Sequence, residues 1–245
     1  MKAMIFAAGL GTRLKPLTDT MPKAMVPVDG KPLLWHAIRK LKQFGFDAII
    51  INVHHFADQI IDYVKSNNHF DIRIEFSDER NLLLDTGGGI KKAAWFFDDQ
   101  KPFLVHNVDI FSDIDLKKAY QQFSKDDALA HVIVSRRETS RYLLFDDQNR
   151  LKGWINKRTG ETKSPVLNFN PHQCHAYAFS GIHLLSPRIF ELMRSFPDQF
   201  SIIDFYLSIC DQVKIGGYIP ENFRLLDVGK PEALSLAAEF LNQSR

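Results

Sequence analysis

The first thirteen residues read MKAMIFAAGLGTR, an apolar segment followed directly by a glycine-rich loop. Residues 3–8 are continuously apolar, which is typical of a strand buried on both faces within a parallel sheet. Gly9 and Gly11 follow this run, and glycine lets a backbone turn sharply and approach a bound group closely. We therefore predict a buried strand whose carboxyl end carries a ligand-binding loop.

Strand and helix patterns alternate over the first 110 residues. Further runs at residues 48–53, 72–76 and 103–105 predict strands. Helical spacing of apolar residues follows Pro32 and stops near Gly45, and it recurs at residues 57–64 and 89–97. This alternation predicts an α/β fold with three α/β/α layers around a mostly parallel, mixed sheet. Ligands of such sheets bind beyond the carboxyl ends of the strands.

Beyond residue 125 the strands become more frequent. Residues 128–135, 142–145, 151–155 and 176–184 predict strands, and residues 187–194, 202–210 and a segment from Pro231 predict helices. Residues 156–172 are rich in polar residues and predict a mobile loop. No repeat or low-complexity linker separates the two patterns. We expect one domain over residues 1–245, with a first half at 1–125 and a second at 126–245.

Composition excludes several classes of protein. The chain has 245 residues, of which 45% are hydrophobic and 24% charged, as in ordinary globular domains. The formal net charge of +2 offers no strongly basic surface for nucleic acid. No apolar run approaches the ~20 residues of a membrane span, and Cys174 and Cys210 form no disulfide framework or zinc pair. We expect a cytoplasmic monomer or small homo-oligomer that binds neither nucleic acid nor membrane.

The loop at residues 8–13 predicts a site for phosphate. Successive backbone amides in such a loop form a concave nest that favours anions, and Arg13 and Lys23 would add positive charge. Two well-known phosphate loops do not match. The Walker sequence is absent, and Leu14 stands where the dinucleotide fingerprint needs glycine or alanine. A glycine-rich turn without a ligand and a dehydrogenase remain the alternatives.

Residues 9–34, GLGTRLKPLTDTMPKAMVPVDGKPLL, resemble the signature of the sugar-1-phosphate nucleotidyltransferases, approximately G-x-G-[ST]-R-x-x-P-x-T…P-K-x-x-x-P. LDTGGG at 84–89, HNVD at 106–109 and LDVGKP at 226–231 agree with the family in the same order. The resemblance implies a Rossmann-like, GT-A-like fold, with residues 1–125 as the nucleotide-binding half and 126–245 as the sugar-binding half with closing helices. The chain is most similar to N-acetylmuramate-1-phosphate uridylyltransferases, followed by mannose-1-phosphate guanylyltransferases.

The resemblance also implies which residues bind the nucleotide. Arg13 and Lys23 would be catalytic, Arg13 on the departing phosphates and Lys23 near the α-phosphate. Arg80 stands where many relatives carry a base-reading glutamine, which leaves uridine and guanosine open. The other implied nucleotide contacts are Ala8, Gly9, Leu10, Gly11, Thr12, Asp85, Thr86, Gly87 and Gly88.

By the same resemblance, Asp109 and Asp227 would bind Mg²⁺, which one or two carboxylates usually hold together with substrate phosphates. The alternative is that each aspartate belongs to a turn or helix cap. On the sugar side, the family pattern maps onto Leu143, Asn156, Lys157, Ser180 and Gly181. Leu143 and Asn156 depart from the Gly and Glu of many relatives, which implies a reshaped sugar pocket.

The expected reaction joins UTP and N-acetylmuramate 1-phosphate to give a UDP-sugar and pyrophosphate. GTP with mannose 1-phosphate, or CTP with a phosphocholine-type substrate, are the alternatives within this class. A catalytically silent sensor of nucleotide sugars is the alternative from another class. The presence of Arg13, Lys23, Asp109 and Asp227 together favours the enzyme.

Overall fold

The computed structural model describes residues 1–242. Its elements alternate in the first half of the chain and become strand-rich in the second. The helices are α1 (Leu33–Gln43), α2 (Ala57–Ser66), α3 (Asp85–Lys92), α4 (Leu116–Phe123), α5 (Ile189–Met193), α6 (Ile202–Ile209) and α7 (Pro231–Asn242). The strands are β1 (Lys2–Phe6), β2 (Pro27–Val28), β3 (Lys31–Pro32), β4 (Ala48–Val53), β5 (Arg73–Asp78), β6 (Phe103–Asn107), β7 (Ile110–Ser112), β8 (Ala130–Ser135), β9 (Arg141–Phe145), β10 (Leu151–Asn156), β11 (Thr162–Lys163), β12 (His175–Leu185), β13 (Ile215–Tyr218) and β14 (Leu225–Asp227).

The first-half strands of the main sheet are parallel. They lie in the order β6-β1-β4-β5, and every adjacent pair in this set is parallel. The predicted apolar runs are these strands, and their central residues are buried. The carboxyl ends of β1, β4, β5 and β6 therefore meet at one edge, as predicted for a βαβ array.

The second-half strands extend the same sheet mainly in antiparallel fashion. β12 pairs antiparallel with β6, β8 and β9, and β9, β10 and β11 continue outward as antiparallel neighbours. β13 joins β8 in parallel. The result is one ten-stranded mixed sheet that includes strands from both halves of the chain.

Alternate residues of the central strands pack into two hydrophobic cores on opposite faces of the sheet. Ile5 and Ile51 pack in one core with residues of α1, α2, α4 and α7. Met4 and Ile50 pack in the other with residues of α3, α5 and α6. Because side chains alternate between the faces of a strand, this arrangement gives the predicted three α/β/α layers. No helix between Met1 and Asn242 has both the length and the apolar character needed to cross a bilayer.

Several parts of the structure differ from the sequence predictions. The helix expected at residues 89–97 begins at Asp85 and changes to a 3₁₀ turn at Ala93–Phe96. The expected loop at 156–172 contains β11, which pairs with β10, and a 3₁₀ turn at Pro171–Gln173. The short ribbon of β7 and β14 was not predicted, because three-residue strands carry too little periodicity.

Candidate functional site

A cleft of about 370 Å³ lies at the carboxyl edge of the parallel strands. The predicted residues Ala8, Gly9, Arg13, Lys23, Asp85, Thr86 and Asp109 line it. Asn52, Glu79, Asn107 and Gln199 line it as well and were not predicted. The parallel sheet thus brings the first motif, the 84–89 segment and the 106–109 segment together.

The glycine-rich loop presents free amides beside this cleft. The amides of Ala7 and Ala8 donate to Asn52 Oδ1 at 2.7 and 3.2 Å. Within residues 1–242, the next three amides, of Gly9, Leu10 and Gly11, have no protein acceptor. Gly11 adopts φ +65°, and a Cβ there would lie 2.9 Å from Thr18 Cγ2. The loop therefore needs glycine for its shape and offers successive donors suited to an anion.

Opposite charges meet where β7 and β14 pair. The ladder sets Asp227 opposite Ile110, beside Asp109, and the amide of Val228 donates to the Asp109 carbonyl at 2.9 Å. A Cβ on Gly229 would lie 2.6 Å from Arg13 Nη2, 2.8 Å from Asp227 Oδ1 and 3.0 Å from Asp109 Oδ2. Residues separated by more than 200 positions thus surround a single glycine.

Lys23 joins this group through an ion pair with Asp109. Both side chains are largely buried, with 14% and 10% of their surfaces exposed. Asp227 Oδ1 also accepts a hydrogen bond from the amide of Gly229 at 2.9 Å. In the part of the chain that the structure describes, no cluster of three or more His, Cys, Asp or Glu residues could enclose a metal. Two carboxylates are nevertheless a chemically adequate protein share for Mg²⁺, which takes its other ligands from phosphates and water.

Glu79 and Asn52 link the phosphate loop to the far side of the cleft. Asn52 Nδ2 donates to Glu79 Oε1 at 2.9 Å, and the amide of Leu84 donates to Glu79 Oε2 at 3.2 Å. Burial raises the pKa of Glu79, and these hydrogen bonds oppose the rise. Asn52 lies near the carboxyl end of β4 and Glu79 directly follows β5, and this was the available signal, since polar residues at those strand ends face the site.

Gly87 and Gly88 were predicted to contact the nucleotide, but neither residue lines the cleft. Their amides donate to the Phe200 carbonyl at 2.8 and 3.2 Å. A Cβ on Gly88 would lie 2.0 Å from the Asp198 carbonyl oxygen, and one on Gly87 would lie 2.3 Å from the Phe200 ring. The two glycines allow α3 to pack closely against residues 198–200, and their contact with a nucleotide stays a prediction.

Arg80 is also placed differently from the prediction of a base contact. Its guanidinium forms ion pairs with Asp78 at 2.7 Å and Asp58 at 3.1 Å, outside the lining of the cleft. Hydrogen bonds from Arg80 hold the pKa of Asp78 below its usual range. The neighbouring Glu79 faces the cleft in its place. Leu10, Gly11 and Thr12 likewise lie outside the lining, although they belong to the same loop.

The predicted sugar residues fall into two groups. Leu143 and Asn156 line a second cavity of about 510 Å³. Lys157 lies over the Tyr142 ring, 4.6 Å from its centre, and does not line that cavity. Ser180 is buried with an unpartnered hydroxyl, and Gly181 adopts φ +72°. A Cβ on Gly181 would lie 2.8 Å from Ile110 Cγ1, so this glycine permits close packing rather than lining either cavity.

Comparison with curated proteins identifies clear relatives. A protein of Neisseria meningitidis named N-acetylmuramate alpha-1-phosphate uridylyltransferase is 46% identical over 78% of this chain and 78% of its own length. A protein of the same name from Caulobacter vibrioides is 30% identical over 97% of this chain and 95% of its own length. A UTP–glucose-1-phosphate uridylyltransferase of Synechocystis is 30% identical over 94% of this chain, which spans only 60% of that protein.

Comparison with solved structures supports the same fold. HddC from Yersinia pseudotuberculosis, in complex with GMP-PN, has a TM-score of 0.77 and 28% identity, with 98% of this chain and 99% of that chain covered. A UDP-glucose pyrophosphorylase in complex with UDP-glucose has a TM-score of 0.78 and 20% identity over 100% and 99% of the two chains. The fold is therefore the GT-A-like nucleotidyltransferase fold. The pattern of the nucleotidyl transferase family matches residues 2–244, and the chain belongs to that family.

Proposed function

We propose that this chain is a magnesium-dependent sugar-1-phosphate nucleotidyltransferase, which forms a nucleoside diphosphate sugar and pyrophosphate. The observation that carries the proposal is the convergence of Arg13, Asp109 and Asp227 around Gly229. A triphosphate and its cation require positive and negative protein groups at one place, and this group supplies both. The loop that carries the free amides contributes Ala8, Gly9 and Arg13 to the cleft that Asp109 also lines.

In the proposed reaction, a phosphate oxygen of the sugar 1-phosphate attacks the α-phosphorus of the nucleotide. The new P–O bond forms as the bond to the α,β-bridging oxygen breaks, and pyrophosphate leaves with that oxygen. Such transfers depend on positioning and charge neutralisation. The loop amides and Arg13 would hold the departing phosphates, and Lys23 would stabilise negative charge at the α-phosphate.

Asp109 and Asp227 are the residues that would hold Mg²⁺. Both end in hard carboxylate oxygens, the ligand type that Mg²⁺ prefers, and two such groups leave positions for phosphate oxygens. The bound ion would supply positive charge against the triphosphate. Lys23 forms an ion pair with Asp109 and would therefore lie next to the same phosphates.

The substrates that we propose are UTP and N-acetylmuramate 1-phosphate. The 46% identical relative bears the name of that activity and supports this choice. GTP with mannose 1-phosphate is the second candidate, since a structurally similar protein was solved with a guanine nucleotide. CTP with a phosphocholine-type acceptor and a silent sensor are further outcomes of the test.

The test measures pyrophosphate release from each common triphosphate with a panel of sugar 1-phosphates, with Mg²⁺ and with excess EDTA. We expect release with UTP and N-acetylmuramate 1-phosphate, lost in EDTA and restored by added Mg²⁺. Release only with GTP and mannose 1-phosphate, or with CTP and phosphocholine, would contradict the substrate proposal. No release with any combination would favour the sensor, and release unaffected by EDTA would contradict the metal proposal.

A further inference from the structure

One chain segment, residues 199–203, contributes to the lining of both the second cavity and the nucleotide cleft. Ser201 and Ile203 line the cavity, whereas Gln199 of the same segment lines the cleft. The amide of Ile202, between them, donates to Thr86 Oγ1 in the cleft at 2.9 Å. The lining of the cavity is therefore connected to that of the cleft through the segment at residues 199–203.

The cavity has an apolar floor and a charged rim. Leu143 and Leu207 are buried in the floor, and Phe179 and Trp154 extend it. The cavity thus suits a ring with one apolar face and an acidic substituent at its edge.

The rim charges are only partly balanced. Arg137, Arg141 and Lys163 are basic, and Glu161 and Asp204 are acidic. Lys163 is paired with Asp204 at 3.2 Å and lies 5.4 Å from the centre of the Trp154 ring. Within residues 1–242, no carboxylate oxygen lies within ion-pair distance of the guanidinium of Arg137 or Arg141. Even if Glu161 neutralises one of these two arginines, the positive charge of the other guanidinium remains unbalanced.

Arg137 is held by a backbone carbonyl of β12, next to an irregularity in that strand. That strand pairs with β9 through Tyr177 and with β6 from Ile182, and its register with β8 shifts between Phe179 and His183. The Phe179 carbonyl accepts a hydrogen bond from Arg137 Nη2 at 3.0 Å. One nitrogen of the guanidinium is thus anchored, and its other donors remain for a ligand. A guanidinium can donate two parallel hydrogen bonds to one carboxylate.

We propose that Arg137 recognises a carboxylate on the sugar 1-phosphate and selects acidic over neutral acceptors at this site. The inference rests on the proposed function, in which the 1-phosphate enters the cleft beside Lys23. The carboxylate would then lie at the opposite end of the acceptor, in the second cavity. A site built to bind a polar group rejects analogues that lack it, because its own donors are left unpaired.

The experiment compares two acceptors that differ in the acidic group. N-acetylmuramate 1-phosphate carries a lactyl carboxylate, and N-acetylglucosamine 1-phosphate lacks it. Each is assayed with UTP and Mg²⁺ against the wild type, Arg137→Gln, Arg137→Lys and the control Arg136→Gln. Arg136 is the neighbouring arginine and does not line the cavity. Melting temperatures confirm that each variant is folded, and calorimetry measures the binding of both acceptors directly.

We expect Arg137→Gln to lower kcat/KM for the acidic acceptor about 10- to 100-fold, the range for losing a hydrogen bond to a charged group. The neutral acceptor should change less than about threefold, Arg137→Lys should recover part of the loss, and Arg136→Gln should behave as wild type. Equal losses for both acceptors would assign Arg137 to the phosphate and overturn the inference, as would no loss.

The two proposals fail in distinguishable ways. If UDP-N-acetylmuramate forms and Arg137→Gln does not alter the acidic-to-neutral ratio, only the role of Arg137 is wrong. If the wild type turns over neutral acceptors alone, both the substrate and the role of Arg137 are wrong. If no acceptor is turned over, the calorimetric preference for the acidic compound and its loss in Arg137→Gln still decide the inference.

Discussion

The parallel and antiparallel parts of the sheet build two different kinds of cavity. Around β1, β4, β5 and β6, the strands all end at one edge, so polar residues that directly follow strands meet in the cleft. Around β9 and β10, the cavity is lined by residues within the strands, such as Leu143 and Trp154. A parallel sheet therefore concentrates site residues in loop motifs, whereas an antiparallel sheet disperses them among positions that look like core.

The largest effect should come from the two carboxylates beside Gly229, Asp109 and Asp227. We expect Asp109→Asn and Asp227→Asn each to lower kcat at least about 100-fold, or about 2.7 kcal/mol of barrier. Each replacement removes a negative charge from the group around Gly229. Steady-state pyrophosphate assays would measure this, with the exposed Asp62→Asn on α2 as the matched control. A loss below about tenfold would show that the site lies elsewhere.

A smaller effect should follow from filling the contact between α3 and residues 198–200. We expect Gly88→Ala to lower the free energy of unfolding by about 1–3 kcal/mol, the usual cost of overpacking. Its Cβ would lie 2.0 Å from the Asp198 carbonyl oxygen, whereas a Cβ on Gly9 would have nothing within 4 Å. Urea unfolding of Gly88→Ala and Gly9→Ala would measure the difference. Equal stabilities would contradict the packing role of Gly88.

The smallest effect should separate two neighbouring residues at the end of β5. We expect Arg80→Ala to leave kcat/KM for UTP and GTP within about twofold, because its guanidinium pairs with surface carboxylates. Glu79→Gln should instead lower the free energy of unfolding by about 1–3 kcal/mol, since an amide cannot accept from both Asn52 and Leu84. Nucleotide-dependent kinetics and urea unfolding would test the pair. A change of base preference in Arg80→Ala would restore the original prediction.

Some predictions depended on local pattern, and these agree with the structure. The run at residues 48–53 is β4 at the same bounds, because five apolar residues, interrupted only by Asn52, suit a strand with two buried faces. Asp85 and Thr86 line the cleft as the motif implied. Gly87 and Gly88, in the same motif, pack against a segment 110 residues away. A motif identifies the residues that a fold needs, but it does not distinguish a ligand contact from a packing contact.

The sequence by itself determined the α/β class, the strands of the parallel half and the residues of the first loop, because hydrophobic periodicity and glycine act over a few residues. Only the tertiary structure decided which distant residues meet. The pairing of β7 with β14 brings Asp227 to Asp109, and a backbone carbonyl of β12, that of Phe179, accepts the hydrogen bond that holds Arg137. Both contacts join segments far apart in the chain, and their geometry depends on packing that no local pattern encodes.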